Sequence, residues 1–245
     1  MSSLDYPVRR VAIGAVLACA TLALLSWRGP AILPDARLLE LIHLLAQASL
    51  GSLGRLLAGL ALGLLTGTLL GALMATWSLL DRLLGSLIHP LRQMPLFGWI
   101  ALLGLWAGFG ETSKVIFIAL AVTYTMIIAA YQAVRAVPPR LDEVARVYQL
   151  GWGKRLRVLL LPAILPAWLG GLRIALAVAW SATIGTEILM GASAAGLGGF
   201  IWGQREVGRF DLVLLGTALI GTFAVLSDFA LRQAEQRLQR WLRGY

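Results

Sequence analysis

The chain has 245 residues, of which 59% are hydrophobic and 13% charged, with a formal net charge of +9 and one cysteine. A soluble domain of this length carries roughly twice that charged fraction, so the composition indicates a membrane protein. A single cysteine excludes an intramolecular disulfide, and no Cys/His cluster with metal-ligand spacing occurs, so no metal site is expected.

Six apolar stretches reach or approach the roughly 20 residues a helix needs to cross a hydrocarbon core. They are Val11–Trp27, Leu56–Leu80, Gln93–Gly110, Val115–Val134, Ile174–Met190 and Leu212–Ser227, the last continuing past Asp228 to Leu231. Each is continuous, without the residue-by-residue alternation of barrel strands, so the spans are helices. The first follows Arg9-Arg10 and contains "ACA", which leaves a cleaved signal peptide as the alternative. Its apolar run exceeds the usual 7 to 15 residues of a signal sequence, and it is kept as a span.

With both termini in the cytoplasm, 14 of the 21 basic residues face inward, as the bias of Lys and Arg toward cytoplasmic loops requires. Topology therefore accounts for the positive charge. No soluble basic module is present to bind nucleic acid, and the natural surroundings are membrane lipid.

After the first span, "SWRGPAILPDAR" reads as an external loop. "ARLLELIHLLAQ" is amphipathic, suited either to an interfacial helix or to a long entry into the second span, with His43 on its polar face. In the second span Gly59, Gly63, Gly67 and Gly71 recur every four residues, near one helical face, where they permit close approach of another helix. Packing within the chain is the plainer reading of that stripe; a subunit contact or a gating helix is the other. "LLDRLLGSLIHPLRQMPLFGW", with Pro90 and Pro95, is expected to be an inside turn with a broken helix start, and its His89 has no companion for metal binding. "GFGETSK" is a short external turn in which Glu111 and Lys114 form a local surface pair, stabilising by about 0 to 1 kcal/mol.

Pro138-Pro139 ends the fourth span, and Leu141–Leu150 reads as a short amphipathic helix through Leu141, Val144, Val147, Tyr148 and Leu150. Gly151 and Gly153 are expected to stop it, and Pro162 and Pro166 to begin the next span. A short helix between two breaks is a rigid knob on the cytoplasmic face, whose apolar ridge fits a protein groove and whose charges orient it. A solvated turn that merely anchors topology is the simpler alternative. In the fifth span Glu187 is an intramembrane carboxylate, and such groups are costly enough to be functional candidates by default. Structural support through hydrogen bonding and a pathway or gate role both remain open for it. Arg173 lies near the cytoplasmic start of that span, either snorkelling to the interface or guiding an anion. "GASAAGLGGFIW", Gly191–Trp202, is a small-residue stretch returning to the outside face.

The segment "LDEVARVYQLGWGKRLRVLLLPAILP" resembles the cytoplasmic "EAA" loop of the permease subunits of binding-protein-dependent ABC importers. Glu143, Ala145 and the Leu161-Pro162 pair match the pattern, Val144 departs mildly, and Gln149 occupies the position of the family glycine. "PLFGWIALLGLWAGFGETSKVIFIALAVTYTMIIAAYQAVRAVPPRLDE" and "LPAILPAWLGGLRIALAVAWSATIGTEILMGASAAGLGGFIW" extend the resemblance to the branch serving sulfonates, taurine, nitrate and related small anions, over roughly residues 50–242.

That resemblance implies an all-α membrane protein of about six transmembrane helices, a five-helix core of the type I importer kind plus one N-terminal helix, forming a single permease domain with a coupling loop at 135–166. It implies a bacterial inner-membrane location, two cytoplasmic ATP-binding subunits, a second permease copy forming a homodimer, and a periplasmic or extracellular solute-binding protein. Leu141, Glu143, Val144, Ala145, Tyr148, Gly151 and Pro162 become the coupling contacts. Glu187, Arg173 and the loop glycines Gly196, Gly198 and Gly199 become gate or pathway candidates. The transported solute is expected to be an aliphatic sulfonate or taurine, with nitrate, bicarbonate or a vitamin precursor behind it.

The chain is not expected to be an enzyme. A phosphate loop needs Gly-Lys-Ser/Thr, but Lys114 is followed by Val and Lys154 by Arg, so ATP and Mg²⁺ belong to the partner ATPase and the chain itself takes no cofactor. Two other readings compete: a membrane-embedded enzyme using Glu187 as acid or base, which lacks a second catalytic group, and a membrane anchor for an ATPase that does not itself transport.

Overall fold

The computed structural model describes residues 35–191 and 196–243. The expected first span and most of the loop after it lie outside them. All regular structure among the described residues is helical.

Helix α1, Asp35–Thr76, has 42 residues, about 63 Å at ~1.5 Å per residue and about twice the thickness of a hydrocarbon core. No proline interrupts it, so the amphipathic segment around His43 is a long entry into the span and not a separate interfacial helix. Trp77 breaks the rod, and α2, Ser78–Gln93, follows. Instead of the expected turn, this is a 16-residue amphipathic helix with Pro90 inside it. Leu79, Leu83 and Leu87 stand exposed one turn apart along one face. Asp81 ties the helix to the C-terminal end of α4, accepting hydrogen bonds from Tyr131 Oη at 3.0 Å and Arg135 Nη2 at 3.1 Å.

The expected third span is divided. Pro95 precedes a 3₁₀ turn at Leu96–Gly98, α3 covers only Trp99–Ala107, and Gly108 takes the left-handed conformation at φ 72°. Nine helical residues rise about 14 Å, less than a membrane crossing. The uncharged run is long enough, but its proline and glycines partition it.

Helix α4, Glu111–Arg135, is the centre of the fold. Phe117, Ile118, Ala121, Val122, Met126, Ile127 and Ala130 are buried along it. The glycine stripe of α1 packs on this helix: a Cβ at Gly59 would lie 2.5 Å from Ile118 Cγ2, at Gly63 2.5 Å from Val122 Cβ, at Gly67 2.7 Å from Met126 Cβ, and at Gly71 2.3 Å from the Ile127 carbonyl. The stripe thus serves packing within the chain, where close backbone approach replaces a hydrophobic drive that lipid does not provide. On another side of α4, Gly171 of α6 meets Ala129, whose Cβ would sit 2.1 Å from an added Cβ.

The segment after Pro138-Pro139 forms α5, Arg140–Val147, and α6 is Leu161–Leu189, preceded by a turn at Trp152–Lys154 and a π-helical turn at Arg155–Leu160. Together the last three form one apolar rod, Trp152–Leu189. Pro162 and Pro166 therefore lie inside a continuous helix and do not start it. A proline ring conflicts with the carbonyl four residues earlier; for Pro162 that carbonyl belongs to Val158, in the π turn, where a widened helix absorbs the conflict. A short α7, Leu197–Glu206, and the long α8, Phe210–Arg243, complete the chain. Among the described residues, four helices are long and apolar enough to cross a membrane: Leu39–Thr76, Glu111–Arg135, Trp152–Leu189 and Phe210–Leu238.

Candidate functional site

Two polar constructions stand out on this apolar scaffold, one at each end of α6. The first is the α5 knob. Asp142 and Glu143 occupy its first turn and Arg146 its last, the arrangement favoured by the helix dipole. Ala145 is buried and Leu141 half-buried, while Glu143, Val144, Val147 and Tyr148 are exposed. The apolar ridge predicted from spacing therefore divides: Ala145 seats the helix and Val144, Val147 and Tyr148 project away.

The helix closes differently from expectation. Leu150 N–H donates to the Ala145 carbonyl at 2.9 Å and Gln149 N–H to the Arg146 carbonyl at 3.1 Å, while Gln149 itself is left-handed at φ 48°. This is a Schellman closure with Gln149 in the position where glycine is usual. Gly151 is extended, at φ −63° and ψ 153°, and caps the next turn, so neither it nor Gly153 stops α5. The turn stays at the family position, and a glutamine adopts the conformation that the glycine would have taken.

A salt bridge not foreseen from sequence fixes the knob to its base: Arg155 Nη2 donates to Asp142 Oδ1 at 2.6 Å, with the Arg155 guanidinium 5.6 Å from the Trp152 ring centroid. Asp142, Ala145, Arg146, Gln149, Leu150 and Arg155 line a cleft of about 670 Å³ beside α5. Pro162 lies in the first turn of α6, beyond the π turn.

The second construction is at the opposite end. Glu187 is 2% exposed, and both its oxygens are engaged. Oε1 accepts from Ser52 Oγ at 2.7 Å and Arg55 Nη1 at 2.6 Å, and Oε2 accepts the Gly198 N–H at 2.8 Å. Ser52 Oγ in turn accepts the Leu197 N–H at 2.9 Å. The carboxylate thus joins α1, α6 and the N-terminus of α7. Arg55 Nε also donates to Glu111, which accepts from Lys114 Nζ at 3.1 Å. The Glu111–Lys114 pair exists as expected, but Lys114 is 1% exposed and joins a network of two buried cations with buried Glu187 and exposed Glu111.

The loop glycines are fitted to this network. A Cβ at Gly196 would lie 2.5 Å from Glu187 Cδ, and one at Gly198 2.9 Å from both Glu187 Cβ and the Ile184 carbonyl. Gly199 is buried beside them. Sequence reasoning singled out Glu187 and these glycines but missed Arg55 and Ser52. The signal was available: a serine and an arginine three apart share one face of an otherwise apolar helix.

Arg173 is apart from both constructions. Its Nη2 donates to Glu235 of α8, a carboxylate that is itself buried. Among the described residues, no group of three or more potential metal ligands occurs. Glu187, with all its near neighbours donating to it, offers no free pair of groups for acid–base chemistry.

The model of the family described as "Binding-protein-dependent transport system inner membrane component" matches residues 63–240. The Bacillus subtilis (strain 168) permease assigned to aliphatic sulfonates transport, SsuC, is 34% identical over 203 residues, covering 83% of this chain and 71% of its own. The taurine transport system permease protein TauC of Escherichia coli (strain K12) is 32% identical over 218 residues, covering 89% and 76%. Among solved structures, an amino acid ABC transporter aligns with a TM-score of 0.62 at 19% identity, covering 84% of this chain and 99% of its own, which is a likeness of fold. A family match across most of the chain, two relatives above 30% identity and a shared all-helical fold establish that this protein belongs to the binding-protein-dependent transport system inner membrane components, the multi-pass permeases of ABC importers.

Proposed function

We propose that this permease carries a small sulfonate, taurine or a short alkanesulfonate, inward by alternating access. The chain acts as one transmembrane domain, paired with a second copy of itself, both termini in the cytoplasm. Segment 135–166 is its coupling loop: two ATPase subunits, which hold the ATP and Mg²⁺, grip the α5 knob through Val144, Tyr148 and Glu143, and a solute-binding protein delivers substrate outside.

The observation that carries the mechanical part is α5 itself. It is a capped helix of eight residues with exposed apolar side chains, fixed to the base of a continuous spanning rod by Asp142–Arg155. Exposed Val and Tyr on a small rigid helix suit a partner groove, whereas a helix that only anchored topology would gain nothing from them. The sulfonate assignment rests on the two relatives named above. Glu187, Gly196, Gly198 and Gly199 act together as the support of an outer closure: Glu187 fixes the start of α7 and does not contact solute.

The test is uptake in proteoliposomes containing this permease, its ATPase and its solute-binding protein. ATP-dependent accumulation of taurine or ethanesulfonate, with none of bicarbonate or nitrate, is expected. Accumulation of an unrelated anion and not of sulfonates overturns the substrate assignment. Unchanged uptake and ATPase binding after Tyr148→Ala combined with Val144→Ala overturns the docking assignment.

A further inference from the structure

Between α4 and α6 runs an open groove of about 440 Å³ whose lining includes Tyr124, Thr125, Ile128, Gln132, Gly170 and Ile174. Tyr124, Ile128 and Gln132 stand one turn apart in a row along α4. At ~1.5 Å per residue, Tyr124 lies about 20 Å and Gln132 about 32 Å along the helix from Glu111, so the groove begins near mid-membrane and opens toward the coupling end.

The polar groups in this groove differ from others in the bundle. Thr66 and Thr123 hydroxyls bond each other at 2.7 Å, Trp168 Nε1 donates to Thr68 at 3.0 Å, and most other span hydroxyls bond back to their own helix. The Tyr124 hydroxyl and the Gln132 carboxamide hydrogen-bond none of the described residues. The Tyr124 hydroxyl lies within the span, where an unsatisfied polar group costs far more than in water, and Gln132 stands exposed in the last turn of α4. A row of such groups belongs to a wetted path.

We propose that this groove is a transit site for the sulfonate on its way to the cytoplasm, an inference that rests on the sulfonate reading above. The sulfonate oxygens accept from Tyr124 Oη and the Gln132 amide. The Thr125 hydroxyl, which donates to the Ala121 carbonyl at 3.1 Å, keeps lone pairs for the ammonium of taurine. Ile128 and Ile174 take the methylenes. No charged side chain lines the groove. Neutral donors hold an anion only weakly, and a site on a conduction path must release what it binds. Gly170 opens onto this space: an added Cβ there has no neighbour within 4 Å, whereas one at adjacent Gly171 collides with Ala129. One glycine of the pair serves packing and the other leaves room for solute.

The experiment uses the same reconstituted complex. Tyr124→Phe combined with Gln132→Leu is expected to lower taurine uptake about tenfold, the effect of two lost hydrogen bonds. Receptor-stimulated ATP hydrolysis should stay within about twofold of wild type, since neither side chain belongs to the α5 knob proposed to dock the ATPase and separate sites act nearly independently. Gly170→Leu should abolish uptake of hexanesulfonate while sparing taurine. Wild-type taurine import with unchanged uptake and unchanged chain-length preference in the variants overturns the groove alone. Wild-type ATP hydrolysis with no sulfonate import overturns the substrate reading and the sulfonate's occupancy together. Spontaneous disulfide formation between two copies of Gly170→Cys shows that a second subunit fills the space and also overturns the proposal.

Discussion

Replacing Glu187 with alanine tests whether the network around it is structural. The substitution removes acceptors from Arg55 Nη1 at 2.6 Å, Ser52 Oγ at 2.7 Å and Gly198 N–H at 2.8 Å. Breaking one partner out of a buried ion pair costs about 3 to 5 kcal/mol, because the remaining charge stays buried and uncompensated. Arg55 retains Glu111, whose side chain is 57% exposed and hydrated, which places the electrostatic part at the low end, about 3 kcal/mol. The stranded Gly198 N–H adds about 1 to 3 kcal/mol; in one network such losses overlap and are not summed. A total near 4 kcal/mol corresponds to about 8 to 16 °C in melting temperature for a chain of this size. Thermal unfolding of the purified permease–ATPase complex measures it. Removing both charges with Arg55→Met and Glu187→Leu should recover most of the loss, since no buried charge from this pair is left alone. A melting temperature within about 1 °C of wild type for Glu187→Ala, or a double variant as damaged as the two singles combined, would refute the reasoning.

Gln149→Gly should stabilise the coupling turn: a left-handed residue with a Cβ costs about 1 to 2 kcal/mol, against about 0.5 to 1 kcal/mol of extra chain entropy lost by glycine. Amide exchange at Leu150, whose N–H closes the turn, should slow severalfold, and β-branched Gln149→Val should speed it; identical exchange in all three would count against the geometry. Gly63→Leu forces α1 off α4, since even its Cβ would lie 2.5 Å from Val122 Cβ and 2.6 Å from the Ala119 carbonyl. It should yield a protease-sensitive chain, whereas Gly54→Leu, with no neighbour within 4 Å, should express normally. Glu143→Lys reverses an exposed charge on α5 and should weaken co-purification of the ATPase about tenfold, the effect of one charge-assisted contact, without altering membrane insertion. Undiminished co-purification removes Glu143 from the docking surface.

The helical class, the glycine stripe and the short α5 helix were legible because each depends on local pattern: apolar run length, a four-residue repeat, proline and glycine punctuation. What failed to read correctly depended on where a run was divided or on partners distant in sequence. Gln93–Gly110 has the length of a span but folds as a turn and a nine-residue helix. Pro162 and Pro166 resemble boundaries, yet a π turn lets the helix run through them. Lys114 resembles a loop lysine, but it is buried beside Glu111, and Arg55, 59 residues earlier in sequence, reaches the same carboxylate. Gln149 is the subtlest case. Residue preference favoured glycine at 151 as the stop, but the Schellman hydrogen bonds fix the turn two residues earlier, and glutamine accepts the strain.

These placements connect α5 mechanically to the opposite end of the fold. The knob is fixed by Asp142–Arg155 to the base of the Trp152–Leu189 rod. At its far end that rod carries Glu187, which holds the first turn of α7. A helix transmits displacement along its axis with little loss, so the rod can link the two ends as a lever, with the π turn at Arg155–Leu160 as the one segment where its hydrogen bonding is already altered. The other route, through α4, is stiffened by the glycine contacts with α1 and by the cation–carboxylate network at its N-terminal end. Bending within that pair would separate close backbone contacts along their whole length. Helices α1 and α4 are therefore the most closely joined pair, α6 is pinned to α1 at its far end through Glu187, and the groove lined by Tyr124 and Gln132 lies between α4 and α6. A tilt of α6 about its close contact at Gly171 and Ala129 changes the width of that groove directly, which places the proposed transit site where the motion is felt.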